Sequence, residues 1–316
     1  MSAALLRLAV DAAGFSVMPQ RLLILTYHRV LAAPDFMYPT EVHAQSFRGH
    51  MDFFVANFHT LPLGEAVLRM HAGTLPRRAL SITFDDGYLD NLEVAAPILR
   101  ATGVPATFFI ATGFMAGDCM WNDIVFETAR TVKAGRVDLT PLGLGAHEVG
   151  SEDSRRRLAH SVIDGLKYRE PVERVQVAQR AAERAGVEIP RGLMMRADQV
   201  SALHCLGMEI GAHTVTHPIL ARLDAAAAQR EIADSRARLR ALTGAEVSGF
   251  AYPNGRPGQD YKPEHAQMVE QAGFRYAVST VPGCASARSP KHELPRSSSW
   301  GEPGIRMALR LFASYF

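Results

Sequence analysis

The hydrophobic positions of this chain fall into short unbroken runs rather than into a polar–apolar alternation. Runs at 22–27, 79–84, 106–111, 208–212, 247–252 and 276–280 are each followed by a turn and a stretch of helical periodicity, the pattern of strands buried on both faces. Helices are predicted over 46–58, 63–71, 89–101, 197–206, 225–242 and 263–272. Gly73, Gly103, Gly207, Gly244 and Gly273 stand where helices of this set should stop, since a left-handed residue closes the last turn. Strand and helix in alternation predict an α/β fold with a parallel sheet, closed or open, whose site lies at the carboxyl ends of the strands. The stretch 114–195 breaks the alternation, with no convincing strand and two exposed helices at 154–168 and 171–185. We read 1–20 as an N-terminal segment and 21–316 as one domain. That domain carries 114–195 as a helical insertion: a lid, a docking surface or a cover on a sheet face.

With 316 residues and 47% hydrophobic content the chain can bury a real core. Its 34 basic and 32 acidic residues nearly cancel, which argues against nucleic acid as a partner. Three cysteines, Cys119, Cys205 and Cys284, are too far apart for a structural zinc site and fit a reduced compartment. Arg7, Asp11 and Gly14 interrupt the apolar N-terminus, so no transmembrane segment or clear signal peptide is expected there. The expected location is cytoplasmic, with attachment peripheral to the inner membrane left open through an amphipathic helix at 3–10.

Four strand ends carry the candidate chemistry. In Thr83-Phe84-Asp85-Asp86-Gly87-Tyr88 an apolar strand ends in two adjacent carboxylates, which repel unless a cation sits by them. After the 208–212 run comes His213-Thr214-Val215-Thr216-His217, two imidazoles that can converge on one metal. With one carboxylate they make a three-ligand set that leaves a position open for water, the catalytic arrangement. Tyr252-Pro253-Asn254-Gly255 ends a third strand in a turn whose N–H groups can hold an oxyanion. Tyr27-His28-Arg29 puts His28 on the same rim.

In wording, order and spacing these segments resemble the polysaccharide deacetylase family, the carbohydrate esterases of family 4 that share the NodB homology domain. The resemblance implies a distorted (β/α)7-like barrel, with Asp85 as general base and Asp86, His213 and His217 as ligands of a divalent metal, Zn2+ or else Co2+, Fe2+ or Ni2+. The family's Arg-x-Pro-Tyr segment is replaced here by Ala251-Tyr252-Pro253-Asn254, so Arg296 is the candidate to supply the lost guanidinium. The family's late Leu-x-His segment is missing too, and His28 becomes the candidate general acid, as in the circularly rearranged deacetylases that modify exopolysaccharides. Tyr88, Tyr252 and Asn254 are the candidate substrate or oxyanion contacts. The implied activity is removal of N-acetyl groups from an N-acetylated glycan or glycolipid, with peripheral association with a glycan-assembly complex as a further expectation. An O-acetyl glycan or xylan esterase, a non-catalytic sugar-binding module and a scaffold are the rival readings.

Overall fold

The computed structural model describes residues 20–189 and 191–298, together with Met307 and Leu311. The expectations for 1–19 lie outside them. Six parallel strands appear where the apolar runs predict them: β1 (Arg21–Tyr27), β2 (Ala79–Phe84), β3 (Ala106–Ile110), β4 (Glu209–Ala212), β5 (Gly249–Ala251) and β6 (Tyr276–Val278). They lie side by side in chain order, and β7 (Cys284–Ser286) pairs antiparallel with the first half of β1. Short strands His59–Thr60 and Ser297–Ser298 join β2 and β1, making nine in all.

The sheet curls into a (β/α)-barrel-like layer, and one late segment links its edges. Leu294 bridges to Val278 on β6, and three residues on, Ser297 and Ser298 pair with Leu25 and Thr26 on β1. Arg296 sits between these contacts.

Side-chain parity divides the strands between two apolar clusters, because successive residues point to opposite faces. Leu80, Ile82 and Phe84 of β2 pack with Phe47, Met51 and Phe54 of the helix Ala44–Asn57. Leu22, Ile24, Phe109, Ala251 and Val278 face the other way and meet Leu63, Ala66, Val67 and Met70 of the helix Leu63–His71. Each buried Leu, Ile, Val, Phe or Met among these contributes about 1.5–3 kcal/mol relative to exposure. Two glycines make this second cluster possible. A Cβ on Gly211 would meet the Phe109 ring at 2.4 Å, and one on Gly249 would meet the Tyr276 hydroxyl at 2.4 Å.

The chain forms two compact units, the second made of Pro34–Pro39 and Ala116–Met194. The sequence reading of 114–195 needs three corrections. Helices Glu152–Leu166 and Pro171–Arg184 are amphipathic rather than simply exposed, and bury Leu158, Val162, Val177 and Ala181 in a core of their own. A third helix, Trp121–Thr131, adds Ile124 and Val125 to it. There is also a hairpin, Gly135–Asp138 with Ala146–Val149, too short and too exposed to show as an apolar run. No helix among the described residues is long and apolar enough to cross a membrane.

Candidate active site

Strand parity explains the first aspartate. Ala79, Ser81 and Thr83 face away from the Leu80–Ile82–Phe84 side, and Asp85 continues that register, 3% exposed. There it meets Arg296. The guanidinium grips it with both arms, Nη1 to Oδ1 at 2.7 Å and Nη2 to Oδ2 at 2.7 Å. Its remaining donors reach Thr83 Oγ1 at 3.2 Å and the Ser279 carbonyl at 3.0 Å. Burial disfavours the charged form of Asp85, but Arg296, with smaller contributions from His213 and His28, outweighs it and holds the carboxyl below its ordinary value.

Asp86 should by parity turn to the opposite face, and a left-handed backbone prevents this: its φ is 76°. Its Oδ1 lies 3.4 Å from the Nε2 atoms of both His213 and His217. Thr214, His217 and Asn254 are likewise at positive φ, 64°, 54° and 59°. For residues other than glycine such angles are uncommon and gather where function over-determines the backbone. Here they reshape all three strand-end motifs.

The imidazole loop is tied from several sides. His213 N–H donates to the Ile110 carbonyl at 3.0 Å, and Gly113 N–H donates to that of Val215 at 2.7 Å. Glu231, on the helix Ala225–Thr243, accepts from the N–H groups of Val215 and Thr216, each at 2.8 Å, and from Thr216 Oγ1 at 2.7 Å. The sequence reading missed Glu231, since an acid on a helix reads as part of a solvated face. His213 Nδ1 lies 2.7 Å from the Ala251 carbonyl, a bond that only a protonated Nδ1 can make. That fixes the tautomer and leaves the Nε2 lone pair free.

These residues fit a divalent metal. One ligand atom each from Asp86, His213 and His217 lie within 4.8 Å of one another. Asp86 Oδ1 is sealed from solvent with no hydrogen-bond partner among the described residues, a costly state for a carboxylate unless a cation completes it. Burial pushes the Asp86 carboxyl upward, yet the imidazoles of His213, His217 and His28 hold it well below the usual carboxylate range.

His28 is exposed rather than folded into the core. Its carbonyl accepts from Asn91 Nδ2 at 2.9 Å, at the start of a π-helical turn, Asn91–Ala95, within the predicted 89–101 helix. Next to it Arg29 bonds Asp90 at 2.8 Å and lies over the ring of the buried Tyr88 at 4.7 Å. Glu41, which no motif marked, comes alongside through the pairing of Val30–Leu31 with Val42–His43. Burial, partly countered by His28 and Arg29, raises its carboxyl.

Tyr252 departs from expectation. Its hydroxyl donates to the His292 carbonyl at 2.9 Å, its ring stacks on Tyr261 at 3.8 Å, and its N–H donates to Val278 at 3.3 Å. With both donors engaged it is a packing residue, and Asn254 is left as the donor of that turn. The Asn254 carbonyl is held by Thr280 Oγ1 at 2.8 Å.

A curled parallel sheet with an Asp–His–His set and a buried Asp–Arg pair at its carboxyl rim defines a barrel-type hydrolase. The family model for polysaccharide deacetylase matches residues 72–277, and the chain belongs to that family. It is 24% identical over 280 residues to YxkH of Bacillus subtilis (strain 168), itself assigned to the polysaccharide deacetylases; the match covers 88% of this chain and 71% of that protein. Among solved structures it resembles the Streptococcus pyogenes deacetylase PplD, in complex with acetate, with TM-score 0.63, 19% identity and coverage of 93% of this chain and 99% of that one. It also resembles IcaB from Ammonifex degensii, with TM-score 0.55, 18% identity and coverage of 93% and 96%. At these identities the structures show the fold. The protein is an enzyme of the polysaccharide deacetylase class.

Proposed function

We propose that the chain hydrolyses the acetamide of an N-acetylated sugar in a glycan, with a divalent metal held by Asp86, His213 and His217. The observation that carries this is the arrangement of two adjacent aspartates at one rim: Asp86 faces two imidazoles, while Asp85 is locked to Arg296. When held by these three residues, a divalent ion would supply Lewis acidity, lowering the pKa of water and polarising the acetyl carbonyl. The N2O donor set suits zinc, with cobalt, iron and nickel as close competitors.

The chain's own groups do the rest. Asp85, kept ionised and oriented by Arg296, accepts the proton of the attacking water. The Asn254 N–H donates to the oxygen that gains negative charge as the carbonyl becomes tetrahedral. His28 gives a proton to the departing amine, the C–N bond breaks, and acetate and a free amino sugar leave. An O-acetyl ester would react by the same steps, so the acyl linkage is the point to test.

Acetate release should be measured on N-acetylglucosamine oligomers and on O-acetylated xylan, with and without a chelator. Release from the oligomers alone, abolished by chelator and restored by metal, is expected. Release from xylan alone would make the protein an esterase. Elemental analysis should find metal lost in Asp86→Asn and His213→Ala but kept in inactive Asp85→Asn; equal loss in all three would refute the division of labour.

A further inference from the structure

A cavity opens at the end of the sheet opposite the candidate active site, among residues that the proposed chemistry does not use. It encloses about 530 Å³, within the range of pockets that hold small organic ligands. Glu209 is the first residue of β4 and Tyr276 the first of β6, while Ser248 and Arg275 immediately precede β5 and β6. The cavity therefore lies at the amino ends of the strands. His213 lies four positions beyond Glu209, a rise of about 13 Å at ~3.3 Å per residue.

Its lining combines an apolar wall with groups of both signs. Val67 and Leu68 on the helix Leu63–His71 line it together with Phe274 and Tyr276, and Leu68 is 59% exposed. The floor is a built carboxylate: Glu209 accepts from Thr107 Oγ1 at 2.6 Å, the Gly64 N–H at 3.1 Å and the Tyr276 hydroxyl at 3.1 Å. The Gly64 contact needs glycine, since a Cβ there would stand 2.5 Å from Glu209 Oε1. Around the mouth stand Glu270, Arg275 and Lys291. Among the described residues none of these three is in an ion pair. His71 Nε2 is shielded from solvent with no partner among the described residues; burial and the charge of Lys291 lower the pKa of its ring.

We propose that this cavity is a second saccharide-binding site, which holds a sugar unit of the polymeric substrate away from the reaction centre. A hydroxyl both donates and accepts, and cations beside carboxylates serve both needs, whereas a simple anion would meet the acids Glu65, Glu209 and Glu270 and a simple cation the bases Arg275 and Lys291. The apolar wall suits the C–H face of a sugar ring. The inference rests on the glycan substrate class proposed above, but not on the catalytic residues.

The test uses the full-length, metal-loaded protein carrying Asp85→Asn, so that ligand is not turned over. Hydrogen exchange is followed on adding N-acetylglucosamine tetramer. Protection should appear in 63–76 and 270–292, persist when chelator removes the metal, and disappear in Arg275→Ala/Lys291→Ala and in Leu68→Glu. In otherwise wild-type protein the same changes should raise KM for polymer about three- to tenfold, the scale of one lost net hydrogen bond, and leave kcat/KM on the dimer unchanged. Absence of protection, protection by acetate or phosphate instead of the tetramer, or protection unchanged in the variants would overturn the site. Failure of the catalytic reading would appear differently, as lost acetate release with this protection intact.

Discussion

Replacing Arg296 by methionine keeps most of the side-chain volume and removes the guanidinium that is 2% exposed and bonded to Asp85, Thr83 and Ser279. Breaking a buried pair leaves an uncompensated charge and costs about 3–5 kcal/mol. The pH dependence separates this cause from simple loss of packing. In the native protein Asp85 is held below its ordinary value, so the pair's contribution is present above the unfolded carboxylate pKa and is lost only as pH falls through the lowered folded value. Without Arg296, burial is the largest remaining influence and the folded pKa rises, so the variant takes up a proton at a higher pH than the native protein does and the deficit shrinks as the medium is acidified. Urea unfolding of both proteins, metal-free, should show the full loss at pH 8 and a smaller one at pH 5. Turnover of the metal-loaded variant should fall about 10²–10⁴-fold, the usual contribution of a general base. A deficit equal at the two pH values, or below about 1 kcal/mol, would refute the idea that Arg296 keeps Asp85 charged.

His28→Ala should retain metal and fold and lose about 10²–10⁴-fold in kcat; near-normal turnover with metal bound would remove His28 from the mechanism. In the second unit Asp35 accepts from Arg130 at 2.8 and 3.0 Å, and although burial opposes it the pair holds the Asp35 carboxyl low. Asp35→Asn should therefore destabilise the protein by about 0.2–1 kcal/mol at neutral pH, a difference that closes as pH falls through the lowered value; an undiminished gap in thermal melts at acid pH would contradict this. Arg174, 5% exposed, lies 4.6 Å from the Trp121 ring with its Nε unbonded and no ion pair among the described residues. Removing a poorly compensated buried charge is often neutral or favourable, so Arg174→Met should unfold within about 1 kcal/mol of the native protein or above it; a loss of about 3 kcal/mol would show that the cation is needed.

What the sequence revealed and what it hid follow from the range of the interactions. The six apolar runs and the helix-ending glycines were legible because burial and chain reversal are local demands. Asp85, Asp86, His213 and His217 were legible because each lies within a residue or a few of a strand end. The left-handed turn at Asp86 was not, and parity alone would have sent its carboxylate to the wrong face. Glu231 and Glu41 were hidden because an acid's role depends on which loop lies against it. Tyr252 was misplaced for the converse reason, since its hydroxyl answers to His292, 40 positions away. The core of the second unit was missed because its helices bury small residues such as Ala178 and Ala182 against each other.

Arg296 and Asp85 stand 211 positions apart, and the segment bearing the arginine is also the one that bridges β6 to β1. As the chain is made from its amino end, β1 to β6, with the aspartates and both histidines, are synthesised before that segment exists. A nascent chain lacking 294–298 already has Asp86, His213 and His217, the proposed metal ligands, while Asp85 lacks the guanidinium that keeps it charged on burial. Metal capture can thus precede competence during synthesis, with the last residues of the sheet acting as the trigger. Chains stalled on the ribosome before residue 294 should hold metal yet release no acetate.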